Sequence, residues 1–262
     1  MTDRQNAGRR RLGATRRNSW DVGAGHVDLV RPASPPRPVS FAADPQSLTV
    51  DLNRTVMVVI DMQNDFCSKG GWFASRGIDI SPVRAPIAPL NAFLPTLRKA
   101  LVPVVWLNWG NRADLMNLNP TVLHAGNPAG DGVGYGDTPE DGRSPVLKKG
   151  AWGARVCDGL KTARGDIRVD KYRLSGFWDN ELDSVLRNLD ARTLFFAGVN
   201  VDRCVLATMQ DAGFLGYDCI LIDDCAATTS PGYVLRAARY LIREMYGFIA
   251  RSGDVARAIE DG

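Results

Sequence analysis

Short apolar runs alternate with longer helical patterns along most of this chain, and this alternation limits the folds open to it. The runs are apolar throughout rather than at every second residue, which is typical of strands buried on both faces of a sheet. Strands are predicted at 56–61, 102–107, 167–169, 193–197 and 217–222, and helices at 86–100, 181–189, 205–215 and 233–245. The order predicts an α/β fold: a doubly wound, Rossmann-like, mostly parallel sheet with helices on both faces.

The first 48 residues differ from the rest of the chain. They are rich in Arg, Gly and Pro and show no sustained apolar period. We therefore expect residues 1–48 to be a basic arm that is disordered or extended, and residues 49–262 to form a single domain. Residues 1–17 hold six Arg and one Asp, which gives this tail a net charge of +5. Because the whole chain has a net charge of +3, the remaining residues carry −2. That balance argues against nucleic acid as a partner.

The composition also bears on the compartment. No stretch approaches the ~18 apolar residues of a bilayer span, and the N-terminus lacks the apolar core of a secretory signal, so we expect no membrane partner. Five cysteines without a CxxC spacing indicate neither a disulfide framework nor a zinc site. A cytoplasmic, reducing location fits these features best.

Cys204 occupies the most informative position among the cysteines. An apolar strand stops at Gly198 and a helical pattern follows, which places this thiol near a helix N-terminus. Such a position favours the thiolate and predicts a pKa lowered from ~8.5 toward ~3.5–7.5. Burial as a small core residue is the alternative, and it is our interpretation of Cys219 in a strand and of Cys157 on a predicted helix.

Asp61 and Lys171 close two other predicted strands. Alone, the aspartate could bind loop amides and the lysine could be a solvated surface residue. Because the carboxyl ends of parallel strands meet at one edge of the sheet, we expect both side chains near Cys204. A carboxylate could then take the thiol proton beside an ammonium, and the amides of Asn200 and Cys204 could stabilise an oxyanion. This chemistry predicts an amidase.

Four segments carry a resemblance to a known family. They are 59–66 (VIDMQNDF), 149–152 (KGAW), 171–177 (KYRLSGF) and 198–205 (GVNVDRCV). In this order they resemble the isochorismatase-like cysteine hydrolases over roughly residues 50 to 250. The resemblance implies an isochorismatase-like fold, a catalytic triad of Asp61, Lys171 and Cys204, and a cis peptide between Val199 and Asn200 at the oxyanion hole. It also implies a homo-oligomer, a dimer or a tetramer.

Metal-dependent members of this fold carry two histidines after the second strand. This chain has only His26 in the tail and His124 in the long segment 108–150, so we expect neither a metal nor another cofactor. The segment 108–150 is too long for an ordinary connection and is crowded with Gly, Asn, Asp and Pro. It is predicted to be a lid or an interface arm.

The run from Lys171 to Phe177 resembles ureidoacrylate amidohydrolases and the triuret and biuret hydrolases. This resemblance implies a small carbamoyl or ureido substrate, which needs amide, cationic and flat apolar side chains around it. Core packing or a surface salt bridge is the alternative for several of the candidate residues. The substrate-binding candidates are Phe66, Asn108, Trp109, Asn111, Arg112 and Tyr172.

Other functions remain open on the sequence. The triad also suits an N-carbamoylsarcosine or nicotinamide amidase, or a catalytically silent relative that only binds a metabolite. A phospho-accepting signalling domain would place an Asp and a Lys at similar strand ends. Such a domain would not use Cys204. It would also need an acidic cluster beside Asp61 to bind Mg²⁺, and the strand end that precedes Asp61 is not acidic.

Overall fold

The fold is described here from a computed structural model, which covers residues 9–130, 132–140 and 142–262. The strands are β1 (Arg10–Leu12), β2 (Trp20–Gly23), β3 (His26–Asp28), β4 (Pro38–Phe41), β5 (Ala43–Asp44), β6 (Leu48–Asp51), β7 (Thr55–Ile60), β8 (Val104–Trp109), β9 (Ile167–Lys171), β10 (Thr193–Val199), β11 (Asp218–Ala227) and β12 (Phe248–Ala250). The α-helices are α1 (Asn64–Cys67), α2 (Trp72–Ser75), α3 (Ser81–Arg84), α4 (Ile87–Lys99), α5 (Pro120–Gly126), α6 (Leu182–Asn188), α7 (Leu206–Phe214), α8 (Gly232–Leu241) and α9 (Ser252–Asp261).

Seven strands form the central sheet in the order β5-β12-β11-β10-β7-β8-β9. All neighbours pair in parallel except β5 and β12, which are antiparallel. Every residue of β7, β8 and β10 is buried, as the continuous apolar runs predict. The predicted doubly wound, mostly parallel α/β fold is confirmed.

The strand order contains one switch point. From β7 the chain moves outward to β8 and β9, and it then returns to place β10 on the other side of β7. Because such crossovers are right-handed, the helices that follow β7 and β10 lie on opposite faces of the sheet. Side chains at the carboxyl ends of β7 and β10 therefore border the crevice where open α/β sheets bind ligands.

Residues 9–48 contain strands that the sequence pattern did not predict. β1, β2 and β3 form a small antiparallel sheet, and β4 pairs with β6. Polar contacts attach this region to the body: Thr15 Oγ1 donates to the Asn188 carbonyl at 2.9 Å and Arg17 donates to Asn53 Oδ1 at 3.0 Å. These strands have three or four residues each, and most of those residues are exposed or half-buried, so their hydrophobic pattern is too weak to be recognised.

Two further differences concern helices. Cys157, expected on a helix, lies in an irregular segment before β9, where it is buried. The chain also continues after α8 through a wide helical turn (Ile242–Tyr246) into β12 and α9. None of the helices in the described ranges has the length and hydropathy that a membrane span requires.

Gly198 lets β10 approach the end of β7. Its φ of 109° lies in the region that favours glycine, and a Cβ there would collide with the backbone of Ile60. We expect Gly198→Ala to lower the free energy of unfolding by at least about 2 kcal/mol, measured by urea denaturation. The matched control is Gly213→Ala on α7, where a Cβ meets nothing within 4 Å and alanine should stabilise the helix by about 0.5–1 kcal/mol. Equal stability of the two variants would contradict this account.

Candidate active site

Three strand ends bring Asp61, Lys171 and Cys204 together at the switch point. Asp61 follows β7, Lys171 is the last residue of β9, and Cys204 lies in a wide π-helical turn (Val201–Val205) between β10 and α7. Asp61 has a φ of 51° and its backbone N–H donates to the Leu107 carbonyl at 2.9 Å. The chain thus leaves the sheet sharply at Asp61.

Asp61 and Lys171 form an ion pair that is removed from solvent. Lys171 Nζ lies 2.8 Å from Asp61 Oδ2, and both side chains are at most 1% exposed. Lys171 Nζ also donates to the Arg173 carbonyl at 3.1 Å and lies 4.3 Å from the centre of the Trp109 ring. Lys171 is the ion-pair partner of Oδ2, and among the described residues neither Asp61 oxygen has a hydrogen bond of regular geometry. The carboxylate therefore retains capacity to accept a proton.

Burial and mutual charge set the protonation of these groups. Burial raises the pKa of Asp61, and the Lys171 charge opposes this effect only in part. Burial alone would lower the pKa of Lys171, but its interactions with Asp61 and Cys204 together outweigh burial, and the pKa is raised. The pair therefore combines a more basic carboxylate with a persistent ammonium.

Cys204 does not have the acidic thiol that its position near a helix start predicts. Burial, first, and then the Asp61 charge raise the pKa of Cys204 to about 12, although Lys171 acts in the opposite direction. The predicted lowering of this pKa is wrong for the resting site, because desolvation and a neighbouring anion outweigh the helix terminus. The Cys204 thiol is therefore in its neutral, protonated form at neutral pH.

The turn before Cys204 is fixed by several contacts. The Val199–Asn200 peptide is cis, and Asn200 Oδ1 accepts a hydrogen bond from the Thr229 backbone N–H at 3.0 Å. The Cys204 carbonyl accepts one from Thr208 Oγ1 at 2.6 Å. Cys204 is 6% exposed. These bonds hold the sulfur beside Asp61 and Lys171, and wide helical turns of this kind are frequent at functional sites.

Trp109 lies against Lys171 in the site, and hydrogen bonds fix both its backbone and its indole N–H. The Gln63 side chain accepts from the Trp109 backbone N–H at 2.8 Å and donates to its carbonyl at 2.7 Å. Trp109 Nε1 donates to Asn111 Oδ1 at 2.6 Å, and Asn111 is fully buried. Asn111, a substrate-binding candidate, thus has its acceptor engaged in positioning Trp109. The sequence did not single out Gln63, because its role depends on tertiary contacts with Trp109 and Ala154 that no local pattern reveals.

The other substrate-binding candidates differ in availability. Asn108 is 7% exposed, and its Oδ1 has no donor among the described residues, so it can accept a hydrogen bond from a ligand. Phe66 packs edge-on against Phe73 with ring centres 4.9 Å apart. The Tyr172 hydroxyl donates to the Asp179 carbonyl at 2.7 Å, and Arg112 is exposed and paired with Asp114 at 2.7 Å. The structure therefore places Trp109 against the triad through Lys171, and it engages Tyr172 and Arg112 elsewhere.

Tyr135 is a site residue that the sequence did not indicate. It belongs to the long segment 108–150, and its ring stacks on Trp109 with centres 5.2 Å apart and planes 20° apart. Burial and the charges of Cys204 and Asp61 raise the pKa of Tyr135, so its hydroxyl is neutral and can donate a hydrogen bond. A Cβ at Gly126 would come within 2.8 Å of this ring. Part of the long segment therefore covers the chain's own site.

The described residues contain no group of three or more His, Cys, Asp or Glu side chains arranged to hold a metal ion. His26 lies on β3 and His124 on α5. Both are outside the cluster of Asp61, Lys171 and Cys204.

Comparisons with known proteins identify the family and the fold of this chain. Residues 55–251 match the family model described as Isochorismatase domain. Ureidoacrylate amidohydrolase RutB of Azorhizobium caulinodans is 32% identical over 82% of this chain and 95% of its own, and that of Klebsiella pneumoniae is 29% identical over 81% and 89%. A cysteine hydrolase from Pseudomonas syringae has a TM-score of 0.67 at 24% identity (81% and 95% covered). N-carbamoylsarcosine amidase from Thermoplasma acidophilum has a TM-score of 0.58 at 25% identity (76% and 96% covered).

Proposed function

This chain belongs to the isochorismatase family, and we propose that it is a cysteine-dependent amidohydrolase that cleaves a C–N bond of a small carbamoyl or ureido compound and releases ammonia. The observation that carries the proposal is the buried cluster of a neutral thiol, a carboxylate with unfilled acceptor capacity and an ammonium. Burying an ion pair costs free energy, so its presence at the ligand-binding edge of the sheet favours a catalytic role.

The first half of the reaction follows from these positions. Cys204 Sγ attacks the amide carbon while its proton passes to Asp61, which avoids a free thiolate in a buried site. The oxyanion of the tetrahedral intermediate is stabilised by the backbone N–H groups of Asn200 and Cys204. Asp61 then returns the proton to the leaving nitrogen, the C–N bond breaks and ammonia departs. A thioester or thiocarbamate on Cys204 remains.

The second half uses the same groups. Asp61 removes a proton from a water molecule as the water attacks the acyl carbon, and the Cys204 sulfur leaves with that proton. Lys171 favours the ionised form of Asp61 between the two halves, because its charge opposes the effect of burial on the pKa of the carboxyl group. Asp61 thus serves alternately as base and acid.

The polar groups around the triad suit a planar ureido substrate. Trp109 offers a flat apolar face and Tyr135, which stacks on it, offers a neutral hydroxyl; Asn108, one residue before Trp109, has an Oδ1 with no donor among the described residues. The names of the curated relatives support ureidoacrylate as the first candidate. Triuret and biuret follow, and they rest on the sequence resemblance of the segment from Lys171 to Phe177 alone. The likeness to N-carbamoylsarcosine amidase supports a carbamoyl amide as the second class.

A screen for ammonia release tests the proposal. We expect turnover of at least one of ureidoacrylate, triuret, biuret, N-carbamoylsarcosine and nicotinamide, and an acid quench during turnover should reveal an acyl mass on the peptide that contains Cys204. Turnover without such a mass, but with one on another residue, would contradict the mechanism. The absence of both ammonia and adduct across the panel would instead favour a silent, metabolite-binding relative.

A further inference from the structure

Asp65 is a buried carboxylate that the proposed mechanism does not use. It lies on α1 and is 3% exposed. Its Oδ2 accepts a hydrogen bond from the Leu147 backbone N–H at 2.7 Å, and its Oδ1 accepts one from the Trp72 backbone N–H at 3.3 Å. Burial raises the pKa of Asp65 to about 6, and these two hydrogen bonds are the effects that oppose burial. Burying a carboxylate without a neighbouring cation costs free energy, so its presence here indicates a specific role.

Backbone groups surround this carboxylate closely. A Cβ at Gly153 would collide with the Asp65 carboxylate, and the Asp65 backbone N–H donates to the Gly153 carbonyl at 2.9 Å. An ionised carboxylate accepts hydrogen bonds at both oxygens, whereas the amide of Asn would turn its NH₂ group toward one of the two N–H donors. The place therefore requires the two acceptors of Asp, although Asn has nearly the same size.

The hydrogen bond to Leu147 leads to the indole that lies against Lys171. The Leu147 carbonyl accepts from the Asn111 backbone N–H at 2.7 Å. Asn111 Oδ1 accepts from Trp109 Nε1 at 2.6 Å, and the centre of the Trp109 ring lies 4.3 Å from Lys171 Nζ. Leu147 has a φ of 52°, a strained conformation that persists only where surrounding contacts enforce it. One oxygen of Asp65 thus supports the position of Trp109.

The hydrogen bond to Trp72 leads to the other neighbour of Tyr135. Trp72 Nε1 donates to the Val133 carbonyl at 2.8 Å, and the centre of its ring lies 5.2 Å from that of Tyr135. Tyr135 in turn stacks on Trp109 with ring centres 5.2 Å apart. We call Trp109 and Tyr135 the aromatic cover. Each oxygen of Asp65 therefore supports one side of this cover.

We propose that Asp65 is a positioning residue that holds the aromatic cover in place and so keeps water away from the cluster of Asp61, Lys171 and Cys204. The cover belongs to this role because Trp109 packs directly on Lys171. The proposal rests on the proposed function in taking these three residues as the catalytic groups. The exclusion of water can nevertheless be measured on the Cys204 thiol without any turnover.

Alkylation of Cys204 by iodoacetamide tests the proposal. In Asp65→Asn the cover should loosen and water should reach the cluster, so the pKa of Cys204 should fall, because burial is the effect that raises it most. We expect labelling of Cys204 at about pH 8 to be at least about tenfold faster than in the wild type, the change that one pKa unit gives. Cys219, buried inside β11, should be labelled no faster, whereas general loosening of the fold would speed both. Peptide mass spectrometry measures the two rates.

Asp224→Asn is the matched control. Asp224 also uses both carboxylate oxygens, since it accepts from the Ser252 backbone N–H at 2.8 Å and from Ser252 Oγ at 2.6 Å. These bonds join β11 to α9 and do not lead to the aromatic cover. The control variant should therefore label Cys204 at the wild-type rate.

Asn111→Ala breaks the path from Asp65 to Trp109 at a second point. It should also speed the labelling of Cys204, and combining it with Asp65→Asn should give less than the sum of the two effects. Unchanged labelling of Cys204 in folded Asp65→Asn, or equal acceleration at Cys219, would overturn the proposal. If circular dichroism shows that Asp65→Asn is unfolded, the same two results for Asn111→Ala decide.

Activity separates this proposal from the proposed function. On an amide that the wild-type protein turns over, Asp65→Asn should lower kcat/KM by about 10²-fold, because the catalytic groups are no longer held in place. A wild-type protein that releases no ammonia from any amide would count against the proposed function. The labelling rates of Cys204 would still decide whether Asp65 holds the cover.

Discussion

Cys204→Ala is expected to reduce ammonia release by about 10⁴-fold or more, the order of loss seen when the nucleophile of a catalytic triad is removed. Without the sulfur, Asp61 has no thiol proton to accept and no acyl intermediate can form. The fold should persist, since alanine removes only one sulfur atom from a position that is 6% exposed. The measurement is steady-state ammonia release on whichever amide the wild-type protein turns over.

Cys219→Ala is the matched control for this loss. Cys219 is likewise buried, but it lies inside β11, away from the strand ends that carry the triad. Its variant should keep activity within a few-fold of wild type. Retention of near-normal turnover by Cys204→Ala, with the acyl mass absent, would show that the thiol is not the nucleophile.

Lys171→Met is expected to affect both stability and activity. Removing the ammonium leaves the Asp61 carboxylate buried without its counter-charge, which should lower the free energy of unfolding by about 3–5 kcal/mol. The pKa of Asp61 should rise further, because the Lys171 charge no longer opposes burial. Since only ionised Asp61 can accept the thiol proton, the acid limb of kcat/KM should move to higher pH. Urea denaturation and a pH–rate profile measure the two effects.

Lys149→Met provides the contrast. Lys149 also pairs with an aspartate at 2.8 Å, but its side chain is 70% exposed and solvent screens the pair. Its loss should cost less than about 1 kcal/mol and leave the pH profile in place. If the two variants lost similar stability, the Asp61–Lys171 pair would not be the isolated, desolvated pair described above.

Much of the fold follows from hydrophobic patterning. β7, β8 and β10 are continuous apolar runs, so their positions were predicted to within a few residues. β12 has three residues and β5 only two, and their pairing depends on the sheet they join rather than on a pattern of their own. Such elements become visible only when the sheet is assembled.

The functional site also combines residues that the sequence could identify with features that it could not. Asp61, Lys171 and Cys204 could be proposed because strand ends in a parallel sheet meet at one edge. The protonated state of the Cys204 thiol could not be predicted, because its pKa depends on burial and on the Asp61 carboxylate, which lies 143 positions away in the chain. Tyr135 reaches the site through a glycine-rich segment without periodicity, and its stacking on Trp109 is a purely tertiary contact.

The strand β5 has a consequence for how the protein behaves in a crowded solution. It covers the outer edge of β12 with only two residues, and Pro45, which has no backbone N–H, follows at once. Unpaired strand edges recruit strands of other molecules and so start aggregation, whereas very short edges and prolines discourage this. The N-terminal segment therefore also shields the sheet against edge-to-edge association between molecules.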